Sequence, residues 1–212
     1  SYGTAVSTES GPAIWANLTT SDETKVIASN WTEYDIFGYD AVAIDGNYAI
    51  VGAQGQDTAG YSNAGAAYIF ELDTNGTWTE VAFLQTSVMN KNGYFGHSVA
   101  ISGNYAIVGA RGDNTTQGYS GAAYIFERDT TTGIWGNAVS GQSYYTENQM
   151  LKASVLVAND YFGRIVSIHG TYAIIGAWFV DASTTIQNSG AAYIFERDTN
   201  GIWGTAVSGQ SY

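Results

Sequence analysis

The 212-residue chain contains no cysteine, which excludes a disulfide framework and any thiolate metal site. Positive charge is nearly as scarce: 7 Lys plus Arg stand against 19 Asp plus Glu, for a net charge of −12. Phosphate-backbone recognition needs clustered basic side chains and those present are scattered, so no nucleic-acid partner is expected. No apolar run approaches the ~18 residues of a membrane-crossing helix, so no membrane span is expected. The chain opens at Ser1 without a signal-peptide pattern, which reads as a mature product or a fragment. Gly (26), Tyr (16) and hydroxyl residues are abundant, while only 12% of residues are charged. That profile suits an all-β protein with many tight turns.

The chain repeats itself. "FGYDAVAIDGNYAIVGA" at 37–53, "FGHSVAISGNYAIVGA" at 95–110 and "FGRIVSIHGTYAIIGA" at 162–177 share one pattern. It continues through "AGAAYIFELDTNGTW" at 64–78, "SGAAYIFERDTTTGIW" at 120–135 and "SGAAYIFERDTNGIW" at 189–203. A fixed self-similarity of this kind marks a repeat architecture. Within a unit, "HSVAIS" meets "YAIVGA" across Gly103-Asn104, a turn that recurs at Gly46-Asn47 and Gly170-Thr171. A two-residue connection of that composition between β-prone runs predicts a hairpin. "GAAYIF" supplies a third strand. A fourth is expected at Leu84-Gln85-Thr86-Ser87 and Leu151-Lys152-Ala153-Ser154, each eleven residues before the next Phe-Gly.

YAIVGA and GAAYIF are apolar at nearly every position. Both faces of each sheet must therefore be covered, which in an antiparallel array means stacking sheet on sheet. Radial stacking of four-stranded blades is the β-propeller solution. The pattern also resembles the FG-GAP repeats of integrin-α-like β-propellers, in the variety found in large secreted and surface proteins of bacteria and algae. The resemblance spans roughly residues 31–212. It implies three four-stranded antiparallel blades: repeat 1 at 31–88, repeat 2 at 89–155 and repeat 3 at 156–212. The family commonly carries a Ca²⁺-binding acidic loop before the Gly-Ala. Here that loop has shrunk to Ile44-Asp45-Gly46-Asn47, Ile101-Ser102-Gly103-Asn104 and Ile168-His169-Gly170-Thr171. One carboxylate among three copies cannot supply the about six to eight oxygens a Ca²⁺ site takes, so no metal and no cofactor is expected.

The ends depart from a simple array. Repeat 3 stops before a fourth strand of its own, while the N-terminal segment 1–30 carries Leu18-Thr19-Thr20-Ser21, which matches the fourth-strand signature. An orphan strand over about 13–21 is therefore expected to be the fourth strand of the last blade, displaced to the front. Three blades cannot close a ring of about four to eight. Either flanking repeats of a longer chain complete it, or Trp15, Asn17, Leu18, Thr19, Thr20 and Ser21 add to the open blade of another copy by strand exchange.

Candidate sites are few. Arg111-Gly112-Asp113 follows Gly109-Ala110 in a loop and reads either as an adhesion tripeptide or as the local form of a family turn. Trp31 and Trp178 do not recur between repeats and could stack on sugar rings, whereas Trp78, Trp135 and Trp203 recur and read as packing anchors. His97 and His169 lack a nucleophile or a second ligand and occupy different repeat positions, so no catalytic residue is expected. Glu127-Arg128-Asp129 and Glu196-Arg197-Asp198 read as solvated strand ends. Asn17, Asn30, Asn75 and Asn114 head N-glycosylation sequons.

These features point to a non-catalytic extracellular or cell-surface structural protein, partnered by copies of itself or by flanking repeats. The alternatives are a carbohydrate-binding or adhesion module, with glycans as partners, and an accessory propeller of a larger secreted enzyme.

Overall fold

Two segments recurring in every repeat, YAI(V/I)GA and AAYIF, are rich in the β-branched and aromatic residues that favour extended backbone, and they pair with each other in every sheet. The computed structural model describes residues 23–58, 60–115, 118–155, 157–181 and 183–204, and among these there are strands and turns but no helix. In chain order the strands are β1 (Val42–Asp45), β2 (Tyr48–Ala53), β3 (Ala66–Leu72), β4 (Trp78–Leu84), β5 (Phe95–Ser102), β6 (Tyr105–Ala110), β7 (Ala122–Glu127), β8 (Asn137–Ala138), β9 (Tyr145–Thr146), β10 (Gln149–Leu151), β11 (Ile165–His169), β12 (Tyr172–Ala177) and β13 (Ala191–Glu196).

They make three sheets, one per repeat. The first is β1-β2-β3-β4, extended by β9 and β8; the second is β5-β6-β7-β10; the third is β11-β12-β13. The fold is all-β, with three propeller-type blades in a row. The predicted hairpins are present: Asp45 pairs with Tyr48, Ser102 with Tyr105 and His169 with Tyr172. The first turn residues, Gly46, Gly103 and Gly170, have φ of 55, 56 and 58°, which glycine adopts at no steric cost. Each third strand ends at an aspartate whose exposed carboxylate accepts turn amides: Asp73 from Asn75 and Thr77, Asp129 from Thr131 and Thr132, Asp198 from Asn200 and Ile202. Those bonds hold all three carboxyls below their usual pKa.

The fourth strand differs from expectation in register. β4 and β10 end at Leu84 and Leu151, so the Leu-x-x-Ser segment is the exit from the strand, not the strand itself. After it the chain crosses to the next blade, where the amide and hydroxyl of Ser87 both bond the Glu147 carboxylate, at 2.9 and 2.5 Å. At the front of the chain the matching place is held by residues 26–29. Ser29 gives its amide and hydroxyl to Glu80, both at 2.8 Å, and Ala28 is buried as Thr86 and Ala153 are. Distance to the following Phe-Gly sets this register, and Leu18-Thr19-Thr20-Ser21 is too far upstream. The expected exchange strand over 13–21, with Trp15, Asn17, Leu18, Thr19, Thr20 and Ser21, lies outside the described residues.

Blades stack face on face. Ile50 and Ile69 of the first blade bury against Val99, Ile101 and Val108 of the second; Ile107 and Ile125 on its other face bury against Val166, Ile168 and Ile175 of the third. Small residues set the spacing. A Cβ on Gly52 would lie 2.0 Å from the Gly96 carbonyl oxygen, and one on Gly109 would lie 2.1 Å from that of Gly163. Backbone therefore touches backbone at both seams. Replacing Gly52 or Gly109 by Ala is expected to lower stability by about 2–4 kcal/mol by overpacking, read as a reduced midpoint in urea unfolding.

Candidate functional site

Each seam carries the same set of side chains. Tyr48, at the start of β2, donates its hydroxyl to Glu71 at 2.6 Å and lies edge-on to Trp135 of the next blade (5.5 Å between ring centroids), with the Arg128 guanidinium 5.0 Å from its own centroid. Tyr105 repeats this with Glu127 at 2.8 Å, Trp203 at 6.0 Å and Arg197 at 4.4 Å. Arg128 and Arg197 thus reach across a seam onto an aromatic face, an attraction of about 0.5–2 kcal/mol. This corrects the reading of the Glu-Arg-Asp clusters as solvated strand ends for Glu127, Arg128 and Arg197, which serve the seams, while Asp129, Glu196 and Asp198 are exposed as expected. The expectation for Trp135 and Trp203 as packing anchors holds, since both are buried. Asp45, the one carboxylate among the shortened hairpins, accepts the Gly103 amide of the next blade at 2.6 Å.

The Arg111-Gly112-Asp113 tripeptide is turned inward, which corrects the reading of it as a displayed adhesion signal. Asp113 is 1% exposed. Its carboxylate accepts the Tyr124 hydroxyl at 2.5 Å and the Thr115 amide and hydroxyl at 3.0 and 2.6 Å, and lies 3.7 Å from the Lys152 ammonium. Gly112 has no room for a side chain, its Cβ position being 2.0 Å from the Asn92 carbonyl oxygen. A buried carboxylate is tolerated because nearly every lone pair is used. In the first repeat Gln56 has the same place and accepts the Tyr68 hydroxyl at 2.7 Å. In the third, Val180 stands there and cannot accept.

The residues that differ between repeats do converge. His97, which follows one Phe-Gly pair, sits 8% exposed between Gln54, Arg111 and Arg164. Arg164 Nη1 lies 2.8 Å from His97 Nε2 and can only donate, so Nε2 accepts. The ring proton is then on Nδ1, 2.6 Å from the Gln54 Oε1 acceptor. Arg111 Nε, 3.4 Å from Nδ1, contributes charge, not a bond, because both groups are N–H donors. Burial, then Arg111, then Arg164 push the imidazole pKa down to about 4, so the ring is neutral at physiological pH. Arg111 lies over Tyr94 at 4.2 Å and Arg164 over Trp178 at 4.4 Å. Among the described residues neither guanidinium has a carboxylate partner.

The structure therefore brings Arg111 and Trp178 into one cluster and leaves Trp31 apart, 65% exposed and without a ring neighbour among the described residues. Trp178 does not offer a free face, since Phe179 stacks on it at 4.6 Å while Arg164 lies over its ring. Asn30, Asn75 and Asn114 are exposed, and the Asn30 side-chain amide lies 2.7 Å from the Tyr68 hydroxyl, whose one proton goes to Gln56; Asn17 lies outside the described residues. His169 is exposed at its hairpin, at the other end of β11 from Arg164. Sequence reasoning missed Arg164 and Gln54. Their signal was present as the positions where otherwise matching repeats disagree: Tyr39, His97 and Arg164 after Phe-Gly, and Gln54, Arg111 and Trp178 after Gly-Ala.

A protein-family model described as FG-GAP repeat matches residues 20–70, 78–126 and 145–195, more than half of the chain. No curated protein matches it.

Because the neutral imidazole is favoured in the folded state, His97 stabilises the protein above its unfolded pKa near 6.5, and that contribution is lost as pH falls toward 4. Between pH 7 and 4.5 the natural chain is expected to lose on the order of 2 kcal/mol more than a His97→Gln variant, which keeps both hydrogen bonds without titrating. Urea unfolding of the two chains at each pH measures the difference.

Proposed function

The chain belongs to the FG-GAP repeat family, and on that premise we propose that it is a non-catalytic structural repeat protein of the extracellular or cell-surface space. Its blades build an appendage, wall layer or filament by strand complementation. One observation carries this reading. The outer edges of β3 and β7 are covered by β4 and β10, whereas the outer edge of β13 has no partner among the described residues. An uncovered edge is a template for an added strand. The chain also has sequence to fill it: the family matches begin at residues 20, 78 and 145, and 78 is where β4 begins, so the stretch from residue 20 aligns with a fourth strand that stands ahead of the first blade.

The absence of cysteine, the low charge and the exposed sequons at Asn30, Asn75 and Asn114 support the extracellular assignment. Among the described residues no helix is long and apolar enough to cross a membrane. The test is particle mass by light scattering. The full chain is expected to form particles heavier than one chain, and removal of residues 1–22 is expected to abolish them; a full chain of single-chain mass at every concentration overturns the reading.

A second reading, a glycan-binding or adhesion module, is favoured by the Arg111–His97–Arg164 cluster. Two guanidiniums without a carboxylate partner suit a carboxylate or sulfate group. On this reading the chain retains a uronate-rich or sulfated polysaccharide on an affinity column, and Arg164→Gln weakens retention at least several-fold. Equal elution of both proteins from both columns excludes it.

A further inference from the structure

The two ends of the array are complementary to each other, and the internal seams show how they fit. Across the first seam the amides of Asn92, Tyr94 and Phe95 donate to the carbonyls of Ser62, Asn63 and Ala64 at 2.8, 3.0 and 3.0 Å. Across the second, Asn159, Tyr161 and Phe162 donate to Gly118, Tyr119 and Ser120 at 2.9, 3.1 and 2.9 Å. The equivalent donors ahead of the first blade are Tyr34, Ile36 and Phe37. The equivalent acceptors on the third blade are Gln187, Asn188 and Ser189. Among the described residues none of these six backbone groups is bonded.

Both ends already hold the bonded conformation. Tyr34 and Ile36 have φ of 71 and 58°, matching 57 and 52° at Asn92 and Tyr94 and 71 and 54° at Asn159 and Tyr161. Asn188 has φ of 53°, beside 50° at Asn63 and 55° at Tyr119. Positive φ is unfavourable for a β-branched residue such as Ile36, yet it is kept where no partner is present. A surface set in its bound geometry loses little freedom on association.

Side chains follow the same rule. Ile174 and Ile194 of the third blade are 43% and 49% exposed, while their counterparts Ile50, Ile69, Ile107 and Ile125 are at most 1% exposed. Val42 and Ile44 of the first blade are each 66% exposed, while Val99, Ile101, Val166 and Ile168 are at most 8%. Tyr172 keeps its bond to Glu196 at 3.0 Å but among the described residues has neither Trp nor Arg over it; it borders an apolar hollow of about 400 Å³ with Ile174, Ile194 and His169. Trp78 holds the position of Trp135 and Trp203 at the other end, with Leu72 in place of the arginine. The backbone clearance is preserved as well. At Gly176 a Cβ would meet only the movable Ile165 side chain closely, and among the described residues no neighbouring-blade carbonyl stands where those of Gly96 and Gly163 do inside the array.

We propose that a second copy of this chain docks head to tail, its first blade seated on the outer face of the third blade, with Tyr34, Ile36 and Phe37 bonded to Gln187, Asn188 and Ser189 and with Val42 and Ile44 packed on Ile174 and Ile194. This rests on the added-strand reading and names its partner, because a first blade seated there brings the segment ahead of it to the free edge of β13, as β4 precedes β5 inside the chain. The interface is heterologous: one end of each copy meets the other end of the next, and growth continues until a ring closes.

The experiment uses three full-length variants, two of them blocked at one end on a solvent-exposed side chain. Ile44→Lys blocks the first blade and Ile194→Lys the third, and Gly176→Ala is a second, steric block of the third. Each variant alone is expected to fall to single-chain mass by light scattering, with the circular dichroism of the natural chain. An equimolar mixture of Ile44→Lys and Ile194→Lys is expected to form a two-chain particle and nothing larger, because each retains one competent end. A mixture that stays at single-chain mass overturns the proposal. Assembly that survives both Lys variants but is lost on removal of residues 1–22 overturns the face pairing while leaving the added-strand reading intact. A natural chain of single-chain mass throughout overturns both.

Discussion

The whole array depends on main chain meeting main chain at the seams. Gly52 and Gly109 let the carbonyls of Gly96 and Gly163 approach to a distance that no side chain allows, and only at that distance can the amides just before those two glycines reach the carbonyls of the preceding blade. The apolar strands, the Tyr–Arg–Trp contacts and the hairpin bond from Gly103 to Asp45 all presuppose this spacing. Hydrophobic burial supplies most of the driving force, but the glycines decide that it is realised as stacked sheets with a fixed register.

Much of this was legible in the residues. The Phe-Gly pair recurs in every repeat, and its second residue, at Gly96 and Gly163, is the one whose positive φ and bare Cα admit the neighbouring backbone. YAIVGA and AAYIF, apolar on both faces, announced burial from both sides, and the Gly-Asn hairpins formed as their composition required. The fourth strand was harder. β10 has three residues and β4 carries the bulge between Ile69 and Phe70 in its pairing with β3, so neither has a strong alternating pattern, and the conspicuous Leu-x-x-Ser that follows drew attention to the exit instead.

The site was less legible than the fold because it is made of differences. Arg111-Gly112-Asp113 invited attention as a local string, yet Asp113 answers to Tyr124, eleven residues on and buried beneath it. His97 looked isolated in sequence because its partners, Gln54 and Arg164, come from the blades on either side. Subtracting one repeat from another isolates those positions, since whatever every blade needs for stacking cancels and what remains is particular to one place.

The short hairpin of β8 and β9 has a consequence for shape. It comes from the second repeat, yet it lies along the outer margin of the first blade, where Tyr145 pairs in parallel with Leu84 and the Gln85 amide bonds the Tyr145 carbonyl at 3.0 Å. The outer edge of β4 is thereby paired, while Val42 and Ile44 on the first blade and Ile174 and Ile194 on the third stay exposed. On the head-to-tail docking proposed above, addition runs along the stack through those faces and not across the margin that β9 and β8 occupy.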